Sequence, residues 1–410
     1  MFSRRTALIA FIAAVTLLTV LAFPAAAQEG DVFAAVQDGQ VWLYGVEGQP
    51  INISEAGGEE MPQTYTQVVA SPDGRWIAMA GYTADNRYVL FLYDRQTGDL
   101  LPRASGLAAG YPVTFSADSS RLIFAVTNPA PQEGQDAQID IHLLPLPPGE
   151  PTIVTVPSGV GCGGGSPLPT DQLYSAETGG LGGFALTLAL TPSGLVYSRD
   201  CTGTQIALVD LETEETTDIP GLSHAAVSPD GTQLAGISIQ PGAPWPMAIT
   251  VVDVATGDRR DIPLDVVPDQ VAWSADGGSI LYTVRAFDSG LSFEGEGRER
   301  LDAFLGEGAP VQVWQASLHR LDPASGETLE IFSTPGHSIG RILPTRQGVY
   351  VSVVPNLEAW AQAVAEGSLD PAAAPDGGLS LVPVTLYRVI DRDPSGEVVA
   401  ENVRLAAMVG

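Results

Sequence analysis

Lysine is missing from this chain: every one of its 19 basic residues is arginine, against 48 acidic ones, for a net charge of −29. Without lysine there is no Schiff-base or P-loop chemistry of the lysine kind. The shortage of positive charge excludes nucleic acid, which requires a basic footprint, and makes an anionic membrane surface an unattractive partner. Acidity of this degree keeps an exported chain dispersed and suits cationic or calcium-bearing partners. Cysteine is scarce, with only Cys162 and Cys201. Two cysteines with no neighbouring histidine do not make a tetrahedral zinc site. In an oxidising compartment they form one disulfide; otherwise they stay as two thiols. After Phe23 no stretch is apolar enough to cross a bilayer. Nor does any set of residues recur in the spacing of a catalytic motif, so no catalytic residue, metal ligand or cofactor is assigned.

What is present starts with a processing signal. Arg4 and Arg5 precede an apolar run from Thr6 to Phe23, and Pro24-Ala25-Ala26-Ala27 supplies small residues before Gln28. Residues 1–27 therefore read as a signal peptide and the chain as exported, periplasmic or extracellular, with no membrane insertion once the signal is cleaved. An uncleaved signal anchor is the alternative, because the run nearly spans a bilayer. No cysteine follows it to carry a lipid.

Glycine (45) and proline (32) are plentiful, together about a fifth of the chain. They fall in recurring turns. Ser71-Pro72-Asp73-Gly74 returns as Ser228-Pro229-Asp230-Gly231, and more loosely at Ser116, Thr191, Ser274 and Pro344. Serine can bond the backbone, proline presets φ, and glycine accepts a positive φ. A second signal, Asp94-Arg95-Gln96-Thr97-Gly98, returns at Asp253 and Asp322, with variants at Asp210 and Asp393. Short apolar, β-branched runs flank both signals, such as Trp76–Met79 and Ile280–Thr283. Each unit thus reads strand, tight turn, strand, loop, strand, hairpin, strand, which is one blade of a propeller. The short intervals between first turns, about 37 to 46 residues, match a WD40-like period, and the longer ones, about 70 to 75, need insertions.

These two turns together resemble the PD40 (WD40-like) repeat, the repeat of the periplasmic TolB propeller and of the propeller of prolyl oligopeptidases. The resemblance covers most of residues 28–410. It implies a fold, an all-β propeller in a single domain, and says little about activity. TolB carries an α/β domain before its propeller, whereas strand-like sequence begins here at Asp31; a hydrolase domain is likewise not seen. Seven blades fit best, with six or eight as neighbouring counts. The segment Val403–Val409 is expected to share a blade with the N-terminal strands, whose hairpin turn is Asp38-Gly39.

Four insertions, at about 127–138, 158–183, 286–310 and 355–378, all follow second or fourth strands, so all should open on one face. That face is the expected binding face. Cys162 and Cys201 would lie there together. In the last insertion Leu357, Trp360, Ala361 and Val364 recur at helical spacing, with Asn356 placed to cap. Leu301–Leu305 reads as a short helical turn. Candidate contact residues on this face are Trp245, Trp360, His224, His337, Arg298 and Arg300, although tryptophans in such loops more often pack the loop onto its own scaffold. His142 and His319 sit in strand patterns. Gly336-His337-Ser338-Ile339-Gly340 matches a nucleophile elbow in letters only, since a strand pattern rather than a helix follows.

Two functions compete. The first is a non-catalytic binding or scaffolding propeller, a monomer, whose ligand is a protein, peptide or glycan. The second is a metal-dependent hydrolase or lactonase-like enzyme with its site in the central channel. The latter needs acidic or histidine side chains aimed inward. The first strands offer mostly Val, Ala, Leu and Thr, although His224, Asp269 and Arg341 lie at their ends.

Overall fold

A computed structural model describes residues 32–45, 49–108, 111–128, 138–157, 186–199, 205–238, 248–370, 384–390 and 393–409. The signal segment, Cys162, Cys201, Trp245 and the whole of the 158–183 insertion lie outside the described residues.

The strands fall in chain order into groups. The first three are β1 (Phe33–Gln37), β2 (Gln40–Tyr44) and β3 (Ile51–Asn52). Next come β4 (Thr64–Ala70), β5 (Trp76–Tyr82), β6 (Tyr88–Asp94) and β7 (Asp99–Ser105), then β8 (Thr114–Phe115), β9 (Arg121–Thr127), β10 (Gln138–Pro145) and β11 (Thr152–Pro157). They are followed by β12 (Leu188–Thr191), β13 (Gly194–Ser198), β14 (Ile206–Val209) and β15 (Thr216–Ile219), and by β16 (Leu222–Val227), β17 (Gln233–Ser238), β18 (Ala248–Asp253) and β19 (Arg259–Pro263). The last groups are β20 (Pro268–Trp273), β21 (Ile280–Leu291), β22 (Val311–Leu321) and β23 (Thr328–Pro335), and β24 (Ser338–Thr345), β25 (Gly348–Val354), β26 (Val384–Ile390) and β27 (Asp393–Met408). Two helices interrupt the strands, α1 (Gly295–Leu305) and α2 (Glu358–Glu366).

From β4 to β23 the strands form five four-stranded antiparallel sheets, each in sequence order. The remaining strands form one seven-stranded sheet, ordered β24-β25-β26-β27-β1-β2-β3. The sequence suggested separate blades throughout. The fusion arises because β27 is 16 residues long and serves two partners. Its start, from Asp393 to Val403, pairs with β26, and its end, from Arg404 to Met408, pairs with β1. Pairing the last strand with the first hides two sheet edges at once.

Neighbouring sheets pack face to face through apolar side chains. Val36 and Leu43 meet Val68 and Met79. Trp76 and Leu90 meet Leu122 and Phe124. Ile123 and Ile141 meet Leu195 and Tyr197, and Val196 and Ile206 meet Leu222 and Leu234. Ile249 and Val251 meet Trp273 and Tyr282. Leu281 and Leu318 meet Ile339 and Val351, and Tyr350 and Leu386 meet Phe33 and Tyr44. The fold is a β-propeller.

The recurring turns have one geometry. The Ser71 hydroxyl donates to Asp73 (2.5 Å) and accepts the Trp76 N–H (2.9 Å), while Gly74, at φ 70°, donates its N–H to the Ser71 carbonyl. Ser116, Ser228 and Ser274 repeat the arrangement with Asp118, Asp230 and Asp276. In the second signal, one Asp253 carboxylate oxygen accepts the N–H groups of Ala255 and Thr256, and Asp322 does the same for Ala324 and Ser325. Both motifs satisfy backbone donors locally, and both sit at the same end of the sheets.

Candidate functional site

Because strands alternate direction, the connections after second and fourth strands share the end opposite the tight turns. On that end the expected loop at 286–310 is largely structured. β21 and β22 continue pairing out to Leu291 and Val311, so 286–291 are strand, and α1 takes up residues 295–305 of the insertion. The alternation of side chains along Ala286–Leu291 carries the ladder past the end of its blade. Leu357, the N-cap of α2, makes no side-chain cap bond. Asn356 is used differently from its expected capping role: its side chain accepts the Trp314 N–H (2.8 Å) and donates to the Trp314 carbonyl (3.3 Å), pinning α2 to β22.

α1 and α2 pack against each other over Leu301, Val311, Val354, Ala361 and Val364. Trp360 is only 5% exposed and lies against Phe304, ring centroids 5.4 Å apart, so it holds the helices to the scaffold. Arg298 is ion-paired with Asp302, which also accepts the Gly308 N–H. Arg300 donates to the Ala365 carbonyl at 2.7 Å. Gly367, at φ 75°, closes α2 where a side chain would collide with the Arg300 guanidinium. Three of the candidate contact residues, Trp360, Arg298 and Arg300, therefore build the helical pair.

The other two described candidates, His337 and His224, lie about a polar cluster of Asp269, Arg285 and Trp314. Arg285 on β21 is ion-paired with Asp269 at the start of β20 (2.7 Å) and lies over the Trp314 ring, 5.3 Å from its centroid. His337, ahead of β24, faces the same indole at 6.4 Å. Burial, helped by the nearby Arg285 charge, pushes the His337 imidazole down to about 3. Burial raises the Asp269 carboxyl above its usual range even though Arg285 and, more weakly, His224 oppose it. Phe287 meets Trp314 edge-on at 5.6 Å and is 58% exposed. Arg285, Trp314 and Phe287 were not singled out by the sequence. Their signal is there in retrospect: the strand alternation of β21 and β22 runs past the blade, which places Phe287 and Trp314 on one overhanging face. Among the described residues no three His, Cys, Asp or Glu side chains gather as a metal site.

His224 occupies a position that recurs on inner strands, four residues before the Ser or Thr of the tight turn. Gln67, Thr187, Gln270 and Arg341 are its counterparts. Gln67 donates to the Tyr111 carbonyl and accepts the Val113 N–H; Thr187 donates to Ala225; Gln270 donates to Ile339. Each stitches its strand to the next sheet. His224 stands in a bulge between Ser223 and Ala226, at φ 52°. His142 and His319 are structural, stacked on Phe124 and Tyr282. The elbow-like stretch enters β24 directly, with no helix after it.

No family model and no curated protein matches the chain. Among solved structures it is similar to TolB from Acinetobacter baumannii, at 15% identity and a TM-score of 0.43, over 75% of this chain and 64% of that one. It thus spans less than two thirds of that TolB. It is also similar to a candidate 6-phosphogluconolactonase from Bacteroides fragilis, at 11% identity and a TM-score of 0.45, over 91% and 97% of the two chains. A third is the β-propeller domain of the Trilobed protease from Pyrococcus furiosus, at 11% identity and a TM-score of 0.47, over 80% and 90%. TolB proteins and other propellers are therefore among its structural neighbours. Likeness at this level bears on fold alone.

Proposed function

We propose that the chain is an exported, non-catalytic binding propeller that takes a protein, peptide or glycan on the end carrying its long connections. The observation that carries this is the Phe287–Trp314–Arg285 group. It is an exposed aromatic edge with an arginine stacked behind it, raised on an overhanging hairpin and braced by α1 and α2. Aromatic and arginine side chains held rigid in this way are the composition of contact hot spots, and an exposed aromatic rim also suits a sugar face.

The reading includes an architecture. Residues 28–410 form one domain of seven blades, with the seven-stranded sheet counted as two blades that share β27. Support comes from the apolar contacts described above, which lead from sheet to sheet and back to β1 and β2. The reading also includes cleavage after residue 27, a Cys162–Cys201 disulfide, a monomeric state, and no role for nucleic acid. No helix among the described residues is long and apolar enough to cross a membrane.

The test is quantitative capture. Immobilised mature protein is exposed to envelope and culture extracts and to a glycan array, beside Trp314→Ala and Arg285→Ala variants. Retention of a ligand by the wild type and its loss, tenfold or more, from Trp314→Ala is expected, since hot-spot truncation costs about 2 kcal/mol or more. Equal retention by all three removes the reading. A large drop in melting temperature on adding EDTA, reversed by calcium, would favour the channel hydrolase instead.

A further inference from the structure

A cavity of about 490 Å³ lies between the inner strands, lined by residues of β4, β8, β20, β24 and the end of β27. That volume is within the range of small-molecule sites. Its walls mix apolar side chains, Val69, Phe115, Leu343 and Met408 among them, with the polar Thr114, Gln270 and Thr345, and Pro72 and Pro344 in its lining belong to the tight-turn end. It thus reaches the end opposite the Phe287–Trp314 edge, and none of the residues of that edge line it.

Arg341 reaches into this space. One of its terminal nitrogens donates to the carbonyls of Val68 (3.0 Å) and Ala406 (3.4 Å), on β4 and β27. Both partners are neutral. Among the described residues no carboxylate stands within ion-pairing distance of it, in a chain with 48 acidic residues. Burial pushes the guanidinium below the usual arginine range, yet arginine keeps its proton at physiological pH. A permanent charge set partly buried in a cavity wall, without a counter-charge, is costly.

Bracing the ring does not account for that cost. Gln67 and Gln270 occupy the equivalent position and make the same kind of bonds to backbone carbonyls across to the neighbouring sheet with a neutral amide. The charge at 341 is therefore surplus to the brace.

We propose that the cavity binds a small monocarboxylic acid with an apolar chain or ring, its carboxylate on the Arg341 guanidinium. One cation balances one negative charge, and guanidinium geometry matches a carboxylate. A phosphate dianion or a dicarboxylate would bring a second charge that no described residue of the cavity answers. The hydrocarbon part has the valine, leucine, phenylalanine and methionine walls to displace water from.

Isothermal titration of the full mature chain with octanoate and phenylacetate tests this, with octanamide, chloride and inorganic phosphate as comparisons. Saturable binding of either acid at one per chain is expected, with at least tenfold weaker binding of the amide. Arg341→Gln, which keeps the brace, should lose the acid at least tenfold while retaining the wild-type circular dichroism; Arg341→Lys should retain part of it. No heat from either acid, equal binding of acid and amide, preference for phosphate, or unchanged binding by a folded Arg341→Gln would each overturn the proposal. Should that variant not fold, the acid-versus-amide contrast on the wild type still decides.

Discussion

Glycine at two turns shows how differently one residue type is constrained. Gly39, at φ 72°, faces open space, so alanine there meets only the left-handed backbone penalty. Gly194, at φ 134°, sits where a Cβ would fall 2.1 Å from the Val209 carbonyl oxygen, an atom fixed in a ladder. Gly39→Ala should cost about 1–2 kcal/mol, and Gly194→Ala distinctly more, roughly 4 kcal/mol or above. Urea melts of the two variants check the order, and equal losses would contradict the geometry. His337 provides a pH test. Its folded-state value lies near 3, below the ordinary value near 6.5, so the native fold prefers the neutral ring. The stability that this contributes is complete above about pH 6.5 and is lost as pH falls toward 3, on the order of 4 kcal/mol in all. Stability measured across that window should slope less steeply in His337→Leu than in the wild type. Parallel slopes would mean that the imidazole is solvated.

Among the elements, the α1–α2 pair is a satellite with its own small core. Trp360→Ala should release it, since truncating a buried tryptophan costs about 3–5 kcal/mol locally. Limited proteolysis should then cut within 295–305 and 357–370 while the sheets stay intact by circular dichroism; resistance equal to wild type would show the pair is held by something else. At this scale the sequence was informative where a signal is local. The helical spacing of Leu357, Trp360, Ala361 and Val364 predicted α2, and all three of Trp360, Ala361 and Val364 are buried in it. The serine–aspartate turns and the Asp38-Gly39 hairpin likewise follow from short-range hydrogen bonding and positive φ. What the sequence left hidden depends on partners far along the chain. The length of β21 past its blade, the use of Asn356 on Trp314, 42 positions away, and the meeting of Asp269, Arg285 and His337 are all tertiary facts. Arg341 carried a legible position in the repeat, but its lack of a counter-charge could be seen only once its neighbours were placed.

For the molecule as a whole, the two ends of the sheets have different work. The tight-turn end is locally satisfied by its own serines and aspartates, and adjacent turns lock together: the Asp73 N–H donates to the Ser119 hydroxyl of the next sheet, and a side chain at Gly231 would strike Pro192. The opposite end carries the overhanging hairpin, the helical pair and the aromatic edge. The seven-blade reading requires further that the chain close on itself, because an open arc would leave β27 and β1 free to shear. The most direct measurement is a cross-link at the closure. Ala34 and Ala407 are register partners on β1 and β27. With Cys162 and Cys201 replaced by serine, Ala34→Cys and Ala407→Cys should form an intramolecular disulfide on mild oxidation, and the melting temperature should rise by several degrees because a loop of nearly the whole chain is closed. Two persistently titratable thiols in the folded protein, with no change in melting, would contradict the closed ring and with it the seven-blade reading.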